Sequence, residues 1–152
     1  MALALSIQYR GPLSGCNYDC AYCPFAKRTD DRATLKQDAA DLDRFIAWIA
    51  GRKADKFKVL FTPWGEALIH QTYRDAIVEL SNLPQIERVA IQTNLSCSTD
   101  WMAALDRAAA SFWCSYHPGQ TPRASFLAKC EAMSALGVRY SVGGAKREAR
   151  AA

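Results

Sequence analysis

Short runs of β-forming residues alternate with amphipathic helical patterns along most of the chain. The runs lie at residues 3–9, 57–61, 87–92, 112–116 and 138–142. Because the runs are nearly continuous in apolar residues and helical segments separate them, the pattern predicts parallel strands joined by βαβ crossovers and covered by helices. In such α/β sheets, functional groups collect just beyond the carboxyl ends of the strands. The loops that follow the strands are therefore the predicted location of a functional site.

Four helices are predicted between these strands. The first covers residues 34–51 and opens at Thr34 with a capping-box pattern, in which a hydroxyl accepts a backbone N–H. The other three helices are predicted at residues 73–80, 100–109 and 121–137. Each has apolar residues at helical spacing on one side, which indicates a face that packs against the sheet.

The composition excludes several classes of protein. A chain of 152 residues has the size of one domain with its own core. The net charge is only +4, and its basic residues gather at residues 27–32 and 146–150 rather than on a continuous basic face, so nucleic-acid binding is not indicated. No run approaches the roughly 20 apolar residues of a membrane span, and residues 1–7 lack the basic leader of a signal peptide. We therefore expect a cytoplasmic protein with reduced cysteines.

Three of the six cysteines form a compact array directly after the first strand. Cys16, Cys20 and Cys23 have the spacing CxxxCxxC, with Gly15 and Pro24 at the margins. In a reducing compartment this array indicates a metal or a catalytic site, and soft thiolates select zinc, copper(I) or iron–sulfur clusters. Three thiolates would leave one iron of a [4Fe–4S] cluster open to a substrate. Structural zinc remains an alternative, with a fourth ligand from Cys97, Cys114, Cys130 or His70.

The cysteine array resembles the hallmark of the radical S-adenosylmethionine (SAM) superfamily, in which an aromatic residue, here Tyr22, precedes the last cysteine. The resemblance covers about residues 1–143 and is strongest in YRGPLSGCNYDCAYCPFAKR. It implies that the three cysteines bind three irons of a [4Fe–4S] cluster and that the fourth iron chelates the amino and carboxylate groups of SAM. The sequence is most similar to a small group of bacterial members without an assigned substrate, so the substrate stays unknown.

The loop after the second strand is similar to a second superfamily motif, GGEP, whose backbone and carboxylate bind the SAM amino group. Gly65 and Glu66 match this motif, whereas Trp64 replaces its first glycine and Ala67 its proline. Glycine permits close backbone approach to a ligand, and a carboxylate beside an ammonium group makes a charge-assisted contact. A turn with a solvated glutamate is the alternative interpretation of this segment.

Two further loops carry candidate cofactor-binding residues. Thr93 and Asn94 are similar to the TNG segment of many superfamily members, with Leu95 where glycine is common; they would line the pocket or cap the following loop. Ser115 and His117 end the fourth predicted strand, where polar groups of superfamily barrels touch SAM or substrate. A structural role for the histidine is the alternative. The remaining cysteines are predicted to be small apolar core residues: Cys97, Cys114 and Cys130.

The resemblance implies a reaction. A reductant, of the flavodoxin or ferredoxin kind, supplies an electron through the cluster to SAM, and the resulting 5′-deoxyadenosyl radical abstracts a hydrogen atom from the substrate. The protein would orient the cofactors, tune the cluster and exclude water.

Superfamily cores usually contain six βα units, whereas this sequence contains about four and a half. The expected fold is therefore a partial radical SAM (β/α) barrel over residues 1–143, followed by an unstructured or non-native tail at residues 144–152. We expect the chain to be truncated at its C-terminus. Two alternatives to a SAM-cleaving enzyme follow, namely a non-catalytic fragment that binds only the cluster and a zinc-stabilised binding module.

Overall fold

A computed structural model describes residues 1–23 and 29–144 of the chain. Its strands pair in parallel, and their order across the sheet is their order along the chain. This arrangement confirms the predicted α/β class with parallel βαβ units. In chain order the helices and strands are β1 (Ala4–Tyr9), α1 (Arg32–Gly51), β2 (Lys56–Phe61), α2 (Gln71–Asn82), β3 (Ile86–Thr93), β4 (Ala110–Tyr116), α3 (Arg123–Ala135) and β5 (Arg139–Gly144).

One face of the sheet is packed against helices, whereas the other face is largely exposed. In β2, Phe57, Val59 and Phe61 are buried, and the residues between them are exposed. The buried side chains belong to a single hydrophobic core that also contains the inward faces of the three helices. The prediction of nearly continuous apolar strands was therefore wrong in detail. Period-two burial is the pattern of a barrel wall, whose outer face meets helices and whose inner face lines the lumen.

Helix α1 begins two residues earlier than predicted. Asp31 is its N-cap residue, and its carboxylate accepts a hydrogen bond of 2.7 Å from the backbone N–H of Thr34. The predicted Thr34 cap is therefore wrong, because an aspartate three residues before it already satisfies the orphan donor and is the better N-cap residue. The apolar face is as predicted, with Leu42, Ile46 and Ile49 buried.

The predicted helix at residues 100–109 is also wrong in extent. Only Asp100–Ala104 form a helical segment, and it is a short 3₁₀ helix. Asp106 ends it by making a turn: its carboxylate accepts a 2.8 Å bond from the N–H of Ala108, and its carbonyl accepts the N–H of Ala110. Aspartate favours such local side-chain bonds over a continuing helix. Strand β4 consequently starts at Ala110.

The fold brings four loops to one edge of the sheet, because the strands are parallel and their carboxyl ends coincide. Among the described residues, no helix combines the length and the apolar character needed to cross a bilayer. Strand β5 continues to Gly144. Several residues named in the sequence analysis lie outside the described residues: Pro24, Lys27, Arg28 and positions 145–152 of the predicted tail. The proposed domain boundary remains a prediction.

Candidate functional site

A cavity of about 150 Å³ lies at the carboxyl edge of the sheet, where the loops after β1, β2, β3 and β4 meet. Each of these four loops contributes to its lining, and every predicted site residue except Tyr22 takes part. Tyr18, Pro63 and Gln92 line it as well without having been predicted. Among the described residues, the lining consists of Cys16, Tyr18, Cys20, Cys23, Pro63, Trp64, Gly65, Glu66, Gln92, Thr93, Asn94, Ser115 and His117.

Within the described part of the chain, the three cysteines of the array form no disulfide bond, and Cys20 is buried while Cys16 and Cys23 are half-buried. The sulfur of Cys16 accepts a 3.4 Å hydrogen bond from the backbone N–H of Tyr18 and a 3.7 Å contact from the amide Nδ2 of Asn94. Burial raises the pKa of the Cys16 thiol above its ordinary value. A bound metal would stabilise the thiolate and offset this effect, since coordination deprotonates a thiol.

The donor set of this cavity fits a soft metal centre. Three thiols line the cavity, and two N–H donors reach the sulfur of Cys16. Soft thiolates select zinc, copper(I) or iron–sulfur clusters over hard cations. Within residues 1–23 and 29–144, no three His, Cys, Asp or Glu side chains lie close enough together to hold a single ion.

The cysteines proposed as a fourth zinc ligand are placed elsewhere. Cys114 of β4 and Cys130 of α3 are buried in the hydrophobic core between the sheet and the helices, as predicted for small apolar residues. Cys97 is half-buried and packs against the same core. None of these three lines the cavity.

Glu66 joins the loops after β2 and β3. Its carboxylate is 2% exposed and accepts hydrogen bonds from Thr93 Oγ1 at 2.7 Å, the backbone N–H of Asn94 at 2.5 Å and the backbone N–H of Leu68 at 3.2 Å. The alternative of a solvated glutamate in a turn is therefore wrong. A carboxylate that accepts several N–H and O–H bonds is held in one orientation, and here it forms part of the cavity wall.

Burial raises the pKa of Glu66 above 4.5, so between that value and the higher folded value the native state binds more protons than the unfolded state. The free energy of unfolding should therefore fall as the pH rises through this interval. We expect the Glu66→Gln variant to lack this contribution, so that its stability gains on the wild type with rising pH above about 4.5. Urea denaturation of the metal-free proteins across a pH series measures the difference. The exposed Glu87→Gln variant is the control, and parallel curves for wild type and Glu66→Gln would contradict the expectation.

Gly65 is placed where the second loop crosses the cysteine loop. A Cβ atom at this position would lie 1.8 Å from the carbonyl oxygen of Gly15, and the N–H of Glu66 donates a 3.0 Å bond to that same oxygen. The glycine therefore permits two backbones to touch. Close approach of a ligand at Gly65 stays a prediction.

Leu95, which stands where the TNG segment commonly has glycine, lies in the loop after β3. Leu95 has φ of 55°, a left-handed conformation that glycine adopts without strain. Leucine pays about 1–2 kcal/mol there, and its buried side chain offsets this cost. Lys129 of α3 supports the loop by donating to the carbonyls of Leu95 and Ser96 at 3.0 and 2.6 Å. Asn94 also donates a 3.1 Å bond to Asn17 of the cysteine loop.

His117 touches the cysteine loop from the end of β4. Its Nδ1 atom lies 3.4 Å from Cys20 Sγ and 3.0 Å from the hydroxyl of Tyr22. The rings of His117 and Tyr22 are stacked, with centroids 6.1 Å apart and an interplanar angle of 5°. Burial lowers the pKa of His117 and raises that of Tyr22 to about 12, so both groups are neutral at neutral pH. Tyr22 thus contacts His117 of the cavity lining.

A cation–π contact between Arg10 and Trp64 joins the loop after β1 to the loop after β2. The guanidinium of Arg10 lies 5.7 Å from the centroid of the Trp64 ring and donates a 2.9 Å bond from Nε to the carbonyl of Thr62. The Trp64 side chain is 48% exposed at the cavity wall. The aromatic residue that replaces the first glycine of the motif is therefore part of the cavity wall, together with the three thiols of the cysteine loop.

Asp30 is a supporting residue that the sequence analysis missed. Its carboxylate accepts a 2.7 Å bond from the N–H of Gly15 and bonds of 3.0 and 3.2 Å from the N–H and hydroxyl of Ser14. These donors begin the cysteine loop, so Asp30 fixes the backbone from which Cys16 projects. An aspartate 14 residues from Cys16 in the sequence has no spacing signature, which is why only the structure shows it.

We expect the Asp30→Ala variant to loosen the cysteine loop. It leaves the Ser14 and Gly15 donors unpaired, at a cost of about 1–3 kcal/mol. Reconstituted variant protein should therefore release iron to a chelator several-fold faster than the wild type, and urea denaturation should show reduced stability. The matched control is Asp43→Ala, an exposed aspartate of α1, which should stay within about 0.5 kcal/mol of the wild type. Equal iron release from both variants would contradict the role of Asp30.

A partial barrel of parallel βα units with three thiols at the carboxyl edge of its sheet defines a class of α/β proteins built to hold a soft metal centre. The model of the radical SAM superfamily matches residues 12–130 of the sequence. The chain therefore belongs to the radical SAM superfamily, as the resemblance predicted. This membership implies, in general terms, SAM and a [4Fe–4S] cluster as cofactors.

The fold is also similar to that of a solved superfamily enzyme. The crystal structure of BtrN in complex with AdoMet and 2-DOIA superposes with a TM-score of 0.63 at 18% sequence identity, over 91% of this chain and 56% of the BtrN chain. The chain thus spans little more than half the length of that protein. At this identity the likeness establishes the fold. No curated protein matches the sequence significantly.

Proposed function

We propose that this protein binds a [4Fe–4S] cluster through Cys16, Cys20 and Cys23 and cleaves SAM reductively to abstract hydrogen from a substrate still to be identified. The observation that carries the proposal is the cavity at the carboxyl edge, where three thiols and the loop held by Glu66 share one wall. Membership of the superfamily supports the same conclusion.

When bound, the cluster would supply the one-electron chemistry for reductive cleavage of SAM, with the electron coming from the external donor. The residues of this chain have other tasks. The three thiolates hold the cluster, and the backbone N–H of Tyr18 donates to the sulfur of Cys16. Hydrogen bonds to the sulfur ligands and burial are the means by which a protein sets the potential of a cluster.

Glu66 is suited to the ammonium group of SAM. Its carboxylate is buried, which makes its negative charge costly, and burial raises its pKa. A cation bound in the cavity would offset that cost and favour the ionised form. The internal donors from Thr93 and Asn94 meanwhile keep the carboxylate in place. We assign two further polar residues of the lining, Ser115 and Gln92, to SAM or substrate.

The proposal also covers the cellular compartment and the electron donor. We assign it to the cytoplasm, where thiols stay reduced, and to a flavodoxin- or ferredoxin-like electron donor. Because this chain spans 56% of the BtrN chain, the activity of a complete enzyme is part of the proposal.

Anaerobic reconstitution with iron and sulfide, followed by dithionite reduction in the presence of SAM, tests the proposal. We expect cluster absorbance, iron and sulfide in roughly equal amounts, and release of 5′-deoxyadenosine. A cluster that forms without any 5′-deoxyadenosine would indicate a protein that binds the cluster only. Metal analysis that finds zinc and no iron would establish a zinc module and overturn the proposal.

A further inference from the structure

Two tyrosines of the cysteine loop, Tyr18 and Tyr22, pack against the imidazole of His117. Beyond the ring stack with Tyr22, the Tyr18 ring meets the imidazole edge-on, with centroids 5.9 Å apart and an interplanar angle of 71°. The turn after His117 is tied to the same loop, since the side chain of Gln120 accepts from the N–H of Asp19 at 2.9 Å and donates to its carbonyl at 3.1 Å. The imidazole is therefore fixed where its Nδ1 atom meets the sulfur of Cys20.

We propose that His117 is a positioning residue that donates its Nδ1–H to the sulfur of Cys20 when that sulfur binds the cluster. The inference rests on the proposed function, because it requires Cys20 to be a cluster ligand. An iron-bound thiolate carries no proton, so a hydrogen bond between this nitrogen and this sulfur requires the proton on the nitrogen. The separation of 3.4 Å between Nδ1 and Sγ is within the range of a hydrogen bond to sulfur.

This donor has a consequence for the cluster. Hydrogen bonds to sulfur ligands stabilise the more negatively charged, reduced cluster and so raise its reduction potential. In metal sites, a side chain that binds the metal is commonly oriented by a hydrogen bond from a second residue. His117 would thus tune the electron transfer and hold the loop after β4 against the cysteine loop.

In the competing arrangement, the hydroxyl of Tyr22 donates its hydrogen bond to Nδ1 of His117. If the Tyr22 hydroxyl donates to Nδ1, the nitrogen has no proton to share with sulfur, and His117 only packs against the loop. The 3.0 Å separation of Tyr22 Oη and Nδ1 is compatible with either direction of donation. An experiment must therefore detect the nitrogen at the cluster directly.

Pulsed electron paramagnetic resonance of the reduced cluster, in protein labelled with ¹⁵N-histidine, provides that detection. The chain has two histidines, and the other one, His70, is the N-cap residue of α2 in a different loop. We expect a ¹⁵N hyperfine coupling in the wild type and in Tyr22→Phe, and loss of that coupling in labelled His117→Asn, which retains His70. Absence of the coupling in the wild type, or its persistence in His117→Asn, would overturn the inference.

The midpoint potential of the cluster, measured without SAM, gives a second readout, in which His117→Asn separates the hydrogen bond from the loss of packing. We expect His117→Leu to shift the potential to a more negative value. His117→Asn should restore it toward that of the wild type, because the asparagine amide nitrogen stands near the position of Nδ1. Equal potentials for the wild type and His117→Leu would refute the role of His117.

Failure of this inference is distinguishable from failure of the proposed function. Iron content and 5′-deoxyadenosine release are measured on the same wild-type samples. Normal cluster content and SAM cleavage without the nitrogen coupling would remove only the role of His117. A wild-type protein unable to form the cluster would overturn both proposals together.

Discussion

The Cys20→Ser variant is expected to lose the iron–sulfur cluster and, with it, all SAM cleavage. Cys20 is 5% exposed at the cavity wall, and a serine hydroxyl in its place stays protonated at neutral pH, so it cannot replace a soft thiolate. With three thiolates for one cluster, no spare ligand of the array remains. We expect iron and sulfide to fall close to zero after anaerobic reconstitution, and 5′-deoxyadenosine release to fall by about 100-fold or more.

The matched control is Cys130→Ala. This cysteine is also buried, but it lies on α3 in the core between helix and sheet and does not line the cavity. Loss of one sulfur atom from the core should cost about 1 kcal/mol, with full iron content retained. Iron retained by Cys20→Ser, or lost from Cys130→Ala, would contradict the assignment of the cluster to the cysteine loop.

Much of the fold and of the site could be predicted from local patterns. The cysteine spacing and the Gly65-Glu66 pair are contiguous in the sequence, and the five strands are short runs with clear ends. Parallel topology then places the loops after successive strands at one edge, whatever the details of the helices. This is why ten of the eleven predicted site residues line one cavity even though the helix boundaries at Thr34 and Ala109 were wrong.

What could not be predicted are the contacts between distant parts of the chain, including those of the predicted residue His117. Asp30 binds the N–H groups of Ser14 and Gly15, and His117 meets Cys20 across 97 positions. Such hydrogen bonds leave no periodicity in the sequence. The exposed inner face of the sheet was missed for another reason: apolar residues such as Leu60 and Trp113 also occur on it, so the strands seem continuously apolar.

Gly65→Ala should have an effect on the whole site, although it adds only one methyl group. The added Cβ would meet the Gly15 carbonyl oxygen at 1.8 Å and the carbonyl carbon of Ser14 at 2.9 Å. Both neighbours are backbone atoms that begin the cysteine loop, so neither can rotate away as a side chain would. We expect a loss of about 3 kcal/mol or more in the free energy of unfolding, together with low iron content after reconstitution. Urea denaturation and metal analysis measure the two effects.

Gly51→Ala tests whether the loss at Gly65 comes from the crossing of the two loops. Gly51 is the last residue of α1, and a Cβ there meets no atom within 4 Å. This substitution should therefore raise stability by about 0.5–1 kcal/mol, as alanine does in a helix, and leave the cluster intact. A Gly65→Ala protein that kept both stability and iron would show that the loops after β1 and β2 can separate. The glycine of this motif would then serve only the approach of a ligand, whereas the contact with Gly15 implies that it first serves the approach of one backbone to another.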